Sequence, residues 1–175
     1  MSDSEMDETL DDRLKALGDE VRGPDNEPRP ADAGQLAPDP TDKARTIVEA
    51  ALDMKADQPV ALDMRTLTSY ADSFIILTGG SDRQVRSIAE SIIHALKTQG
   101  DPPLGVEGLD DGKWVLIDCN EAVVHVFDPD TRIQFDIERL WRDAPRLDLK
   151  IEGVDPNPDT GIDIPDDEDQ AGPAA

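Results

Sequence analysis

Four consecutive apolar residues, Phe74-Ile75-Ile76-Leu77, stand between Ser73 and Thr78 with no polar residue among them. Successive side chains of a strand point to opposite faces of its sheet, so a half-buried strand alternates apolar and polar residues. A short run without alternation, closed by Gly79-Gly80, suits a central strand covered on both faces. Any fold of this chain must supply one layer above that strand and one below.

The flanking sequence supplies the layers. Thr41 or Asp42 can cap a helix after Pro40, and Ala44, Ile47, Val48, Ala51 and Leu52 recur at helical spacing. Pro59 stops that helix, and residues 60–64 alternate enough for a short strand. Beyond Gly79-Gly80, Ser81 and Gln84 form a capping box for a second helix, with Val85, Ile88, Ala89, Ile92, Ile93 and Leu96 as its buried stripe and Gly100 as its stop. Residues 103–106 read as a short edge strand and 107–112 as a polar loop. Residues 113–119 and 122–127 alternate as two strands joined by Asn120-Glu121, which is hairpin length. Asp128 caps and Pro129 opens a third helix with Ile133, Ile137, Leu140 and Trp141 on one side. The order describes an α/β fold with a mixed sheet of about five strands.

Composition sets the limits of the domain. All six Phe, Trp and Tyr residues lie between Tyr70 and Trp141. Residues 1–40 carry twelve acids against four bases, and residues 151–175 carry eight acids and no base. These ends also hold nine of the fourteen prolines, and they cannot bury enough apolar surface to offset chain entropy. We therefore expect one domain at 41–150 between a disordered acidic extension at 1–40 and a disordered acidic tail at 151–175, with at most a marginal helix at residues 8–17. The single cysteine, Cys119, allows no intrachain disulfide, and the N-terminal residues lack the basic and apolar regions of a signal peptide. With no apolar run long enough to span a bilayer, the expectation is a cytoplasmic protein without membrane attachment. A net charge of −23 without Lys or Arg clusters argues against sequence-specific nucleic-acid binding and favours a basic protein as partner.

The two-residue hairpin pairs Cys119 with Ala122, Ile117 with Val124 and Val115 with Val126, which defines a core side. The other side carries Asp118 with Val123, Leu116 with His125 and Trp114 with Phe127. Its mixture of large aromatics, a carboxylate and an imidazole suits a partner-binding face made of Trp114, Leu116, Asp118, Val123, His125 and Phe127. The alternative is that the third helix covers this side, with Trp141 packed on it.

Catalytic readings find little support. His125 and Asp118 lack a third ligand at any metal-binding spacing, and Cys119 falls on the core side as a small apolar residue. Thr78-Gly79-Gly80-Ser81 has neither a P-loop lysine nor the three-glycine dinucleotide pattern. A nucleotidyltransferase would need two carboxylates shortly after that turn to hold divalent metal, and residues 89–95 supply only Glu90. We therefore expect no catalytic residue, no metal and no cofactor. A metal-dependent nucleotidyltransferase and an acidic carrier of basic proteins remain as alternatives to a binding module.

Six segments occur in one order: Tyr70-Ala71-Asp72-Ser73-Phe74, Gly80-Ser81-Asp82-Arg83-Gln84-Val85, Gly105-Val106-Glu107-Gly108, Trp114-Val115-Leu116-Ile117-Asp118, Val123-Val124-His125-Val126-Phe127 and Leu140-Trp141. Together they resemble the bacterial ribosomal silencing factor family, which is related to the plant Iojap proteins, over residues 41–147. The resemblance implies a nucleotidyltransferase-like α/β fold without catalysis. It also implies binding to ribosomal protein fourteen of the large ribosomal subunit, so that joining of the small subunit is blocked and translation is repressed in starvation or stationary phase. It further implies a monomer on the ribosome, leaves a homodimer open for the free protein, and places the exposed side of the hairpin in the partner surface. Two features depart from the family: Asn120 stands where a hairpin glycine is usual, although Asn tolerates positive φ, and the acidic ends lie outside the family domain.

Overall fold

The computed structural model describes residues 39–158. The helix expected at residues 8–17 and most of the two acidic ends lie outside the described residues. Helix α1 (Pro40–Asp53) begins earlier than expected, because Asp39, and not Thr41 or Asp42, is its cap: the Asp39 carboxylate accepts the Thr41 N–H at 2.9 Å. Pro40 then occupies the first helical position, where its preset φ fits and its missing donor costs nothing. The helix ends before Pro59, at a turn in which Lys55 takes a φ of 61°. Pro59 lies inside strand β1 (Asp57–Asp63), an edge strand, where an irregularity between Asp57 and Val60 accommodates the residue that cannot donate.

Strand β2 (Ser73–Thr78) is buried at every residue, as its unbroken apolar run requires. Helix α2 (Asp82–Thr98) follows with Ser81 as cap, its Oγ accepting the Gln84 N–H at 3.1 Å. The Gln84 carboxamide accepts the Gly80 N–H at 2.7 Å and donates to the carbonyls of Met54 and Lys55, which ties the start of α2 to the end of α1. Strands β3 (Gly105–Glu107), β4 (Trp114–Asp118) and β5 (Ala122–Phe127) complete one sheet in the order β1-β2-β5-β4-β3. The central pair β2 and β5 is parallel and the other pairs are antiparallel, so the sheet is mixed. Residues 79–121, including α2, β3 and β4, make the long crossover that a parallel pair demands.

Two apolar layers form, one on each face. On the first, Ile47, Val48 and Ala51 of α1 and Val85, Ile88 and Ile92 of α2 pack on Ile75, Leu77, Val115, Ile117, Val124 and Val126. Leu149 and Ile151 join this layer, and Arg45 Nε donates to the Leu149 carbonyl at 2.8 Å, so the packed chain continues past the boundary expected at residue 150. On the second face the expected third helix is divided into α3 (Pro129–Phe135) and α4 (Ile137–Leu140). Asp136 between them adopts φ 43° and ψ 55°, a left-handed conformation that ends one helix, while its carboxylate caps the next. The break reorients the expected apolar side: Ile137 is buried, but Ile133 and Leu140 are 63% and 65% exposed.

A buried ion pair fixes this second layer. Arg132 and Glu138 meet at 2.7 and 3.3 Å, and Arg132 Nη1 donates to Thr78 Oγ1 at 2.6 Å and to the Gln58 carbonyl at 2.9 Å. One guanidinium thus joins α3, α4, the end of β2 and the irregular part of β1, where Gln58 takes a φ of 48°. Removing one partner of a buried pair leaves an uncompensated charge, so Arg132→Met should destabilise the domain by about 3–5 kcal/mol. Denaturant unfolding checks this value.

Candidate partner-binding surface

The hairpin register places Trp114 opposite Phe127, Leu116 opposite His125 and Asp118 opposite Val123. All six residues singled out in the sequence therefore share one face. Asn120 holds a φ of 68° in the turn, a left-handed conformation that Asn tolerates better than most non-glycine residues. On the opposite side Cys119 is buried among the core residues, and burial pushes its thiol up to about 12, which removes it from nucleophilic chemistry.

The six residues do not form one open surface. Val123, His125 and Phe127 are at most 1% exposed and Trp114 is 5% exposed, because Phe74, Ile137, Ala144, Phe135 and Trp141 pack over them. The expectation of an open face is corrected at these four positions. Phe135 stacks at a tilt 5.1 Å from Trp114, and Phe74 meets Trp141 edge-on at 5.8 Å and His125 at 5.3 Å. Trp114 Nε1 donates to His125 Nδ1 at 3.2 Å, which assigns the imidazole proton to Nε2. Nε2 has no hydrogen-bond partner among the described residues, and burial pushes the His125 pKa down to about 3. At neutral pH His125 is thus an uncharged member of an aromatic layer.

Leu116 and Asp118 keep partial exposure, because the cover reaches β1, β2, β5 and Trp114 at the start of β4 but stops short of the rest of β4 and of β3. The face continues across β3, where Gly105 pairs with Asp118 and Glu107 with Leu116, and both β3 residues are exposed. Tyr70, half-buried, donates its hydroxyl to Asp118 Oδ2 at 3.4 Å, while Asp118 Oδ1 accepts the Asn120 N–H at 3.0 Å. Tyr70, Gly105 and Glu107 stand in segments that carry the family resemblance but were not assigned to the partner face. The two β3 residues could have been placed on the face by carrying the hairpin's period of two onto the next strand; Tyr70, outside any strand, has no such periodicity to place it.

The loop between β3 and β4 is fixed to α2, on the other face of the sheet. Gly108 has a φ of 86°, and a Cβ there would overlap the Trp114 carbonyl oxygen. Arg86 donates to the carbonyls of Leu109 and Asp110 at 2.9 Å each. The Gly79-Gly80 turn has its donors committed to α2 capping and to the Phe127 carbonyl. Among the described residues no group of three or more His, Cys, Asp or Glu side chains is placed to hold a metal ion, and no helix is long and apolar enough to cross a membrane.

This architecture is shared with a solved α/β protein: the crystal structure of a Chromobacterium violaceum protein matches 66% of this chain and 95% of its own, at 36% identity and a TM-score of 0.57. The more specific assignment comes from sequence. The family described as "Ribosomal silencing factor during starvation" matches residues 37–171, so the match extends past residue 147 into the acidic tail expected to lie outside it, and the chain belongs to that family. A ribosomal silencing factor of Halalkalibacterium halodurans is 43% identical over 107 residues, covering 61% of this chain and 90% of that protein. "Mitochondrial assembly of ribosomal large subunit protein 1" of Mus musculus is 27% identical over 128 residues, covering 68% of this chain and 56% of that protein.

Two outcomes follow from the covered face. Trp114→Ala should cost about 3–5 kcal/mol of stability, comparable with Ile117→Ala on the core side at about 2–5 kcal/mol, in paired denaturant melts. The depressed His125 pKa has a definite sign. Below its ordinary value of 6.5 the unfolded chain takes up a proton that the folded chain refuses, so stability is lost as pH falls from 6.5 towards about 3. The part between pH 6.5 and about 5 lies above the carboxylate range, and His125→Asn should flatten it.

Proposed function

We propose that this chain docks on ribosomal protein fourteen of the large ribosomal subunit and, by standing on the joining face, sterically excludes the small subunit. The consequence is repression of translation in starvation or stationary phase, in the cytoplasm, with no catalytic step and no cofactor. The observation that carries the reading is the half-face of Leu116, Asp118, Gly105 and Glu107, left open beside a rigid aromatic layer in a member of the ribosomal silencing family. Its two carboxylates suit a basic partner, as does the overall charge of −23. The name of the mouse relative supports the large subunit as the particle concerned. In this reading the nucleotidyltransferase-like frame serves only as a scaffold, and Trp114, Val123, His125 and Phe127 act by holding the half-face from beneath.

Purified subunits mixed with and without the protein, with joining followed by light scattering, test the mechanism. Joining should fall with added protein; unchanged joining at saturation contradicts it. Leu116→Asp should weaken inhibition by about tenfold or more, well beyond what the lower melting temperature expected from its packing and from Glu107 opposite it would explain. Asp118→Asn keeps an acceptor for the Asn120 N–H but removes the charge and the second acceptor that the Tyr70 hydroxyl uses. It should weaken inhibition less, and most visibly at low salt.

A further inference from the structure

Gly105 is a glycine that nothing among the described residues requires. Of the seven glycines there, Gly100, Gly108, Gly112 and Gly153 take positive φ, and a Cβ at Gly79 or Gly80 would crowd Val85 or Gln84 of α2. Gly105 does neither. It lies in β3 without a positive φ, and a Cβ there would meet no atom within 4 Å. Glycine inside a strand gives up side-chain packing and costs chain entropy, and it often marks a place where a ligand or another backbone approaches closely. The space above Gly105 is therefore open to whatever this face meets.

The borders of that space have a definite chemistry. Gly105 stands opposite Asp118, with Leu116 diagonal to it and Glu107 next along the same face. The floor is fixed, because the Leu104 N–H donates to the Asp118 carbonyl at 2.7 Å and Val106 packs into the layer beneath. The Asp118 carboxylate is held as well, Oδ1 by the Asn120 N–H and Oδ2 by the Tyr70 hydroxyl. It has no ion pair among the described residues, so a held and partly exposed negative charge stands beside a vacant strand position. We infer that Gly105 is the floor of a seat for one cationic side chain of the docked partner. Its aliphatic stem crosses Gly105 beside Leu116, and its charge meets Asp118. The seat rests on the ribosome reading of this half-face and names the group that the half-face selects: a lysine or arginine presented by a basic protein surface. Any side chain at position 105 would fill the seat before the partner could.

The test measures the affinity of the full chain for purified free large ribosomal subunits, with the melting temperature of each variant beside it. Gly105→Ala and Gly105→Val place a methyl and an isopropyl group in open space, so the melting temperature should hold or rise. Affinity should fall with size, by about threefold for Ala and about tenfold or more for Val, as overfilling a close contact does. Position 105 should also be coupled to the charge. Asp118→Asn should weaken binding by about threefold in the unaltered chain, and by much less once Gly105→Val has blocked the seat. A melting temperature that falls with each enlargement would overturn the inference, since the chain itself would then fill the space. Equal affinity of Gly105→Val and the unaltered chain would overturn it too, while leaving the ribosome reading in place. So would fully additive losses, because Gly105 and Asp118 would then meet different groups. Failure of the unaltered chain to bind the subunits would overturn both the seat and the ribosome reading.

Discussion

Strands β2 and β5 lie side by side in parallel, and every residue of both is buried. Neither face of this pair tolerates water, so both must be roofed, and the rest of the domain is arranged to do so. Helices α1 and α2 roof one face with continuous apolar stripes. The other has only α3, α4 and the segment after them, about a third as much helix, and this material reaches Trp114 but runs out before the rest of β4 and β3. The open half-face follows directly from that shortage.

Because the second roof is thin, it depends on polar anchoring. Arg132 bonds at once to Glu138, Thr78 and the Gln58 carbonyl, and so clamps two short helices that could not hold themselves by length. Beneath the roof, Trp114 and His125 share a buried hydrogen bond within a nest of rings. The same packing that hides these residues from a partner makes the neighbouring Leu116 and Asp118 a firm platform. Rigid presentation of a small surface lowers the ordering cost of binding.

Most of the architecture was legible because its signals were local. The unbroken run at 74–77, the Ser81 cap and the two-residue hairpin each specify their own geometry. The α3–α4 break was not legible: Asp136 carries no marker that separates a left-handed residue from a helical one, and Ile133 and Leu140 fit a helical stripe that the fold does not use. The Arg132 cluster was equally hidden, since its partners come from residues 58, 78 and 138. For the hairpin face, parity gave the correct six residues, but parity cannot tell which of them a distant segment will cover.

On the proposed function, the half-face of β3 and β4 is where this domain meets the ribosome. Hydrogen–deuterium exchange on the full chain, with and without free large subunits, reads that location directly. Strands β2 and β5 are already protected in the free protein, so the informative amides are those of Gly105–Glu107 and Trp114–Asp118. The account predicts added protection there and little change along α1 and α2. Added protection along the exposed sides of α1 and α2, with β3 and β4 exchanging as in the free protein, would contradict it.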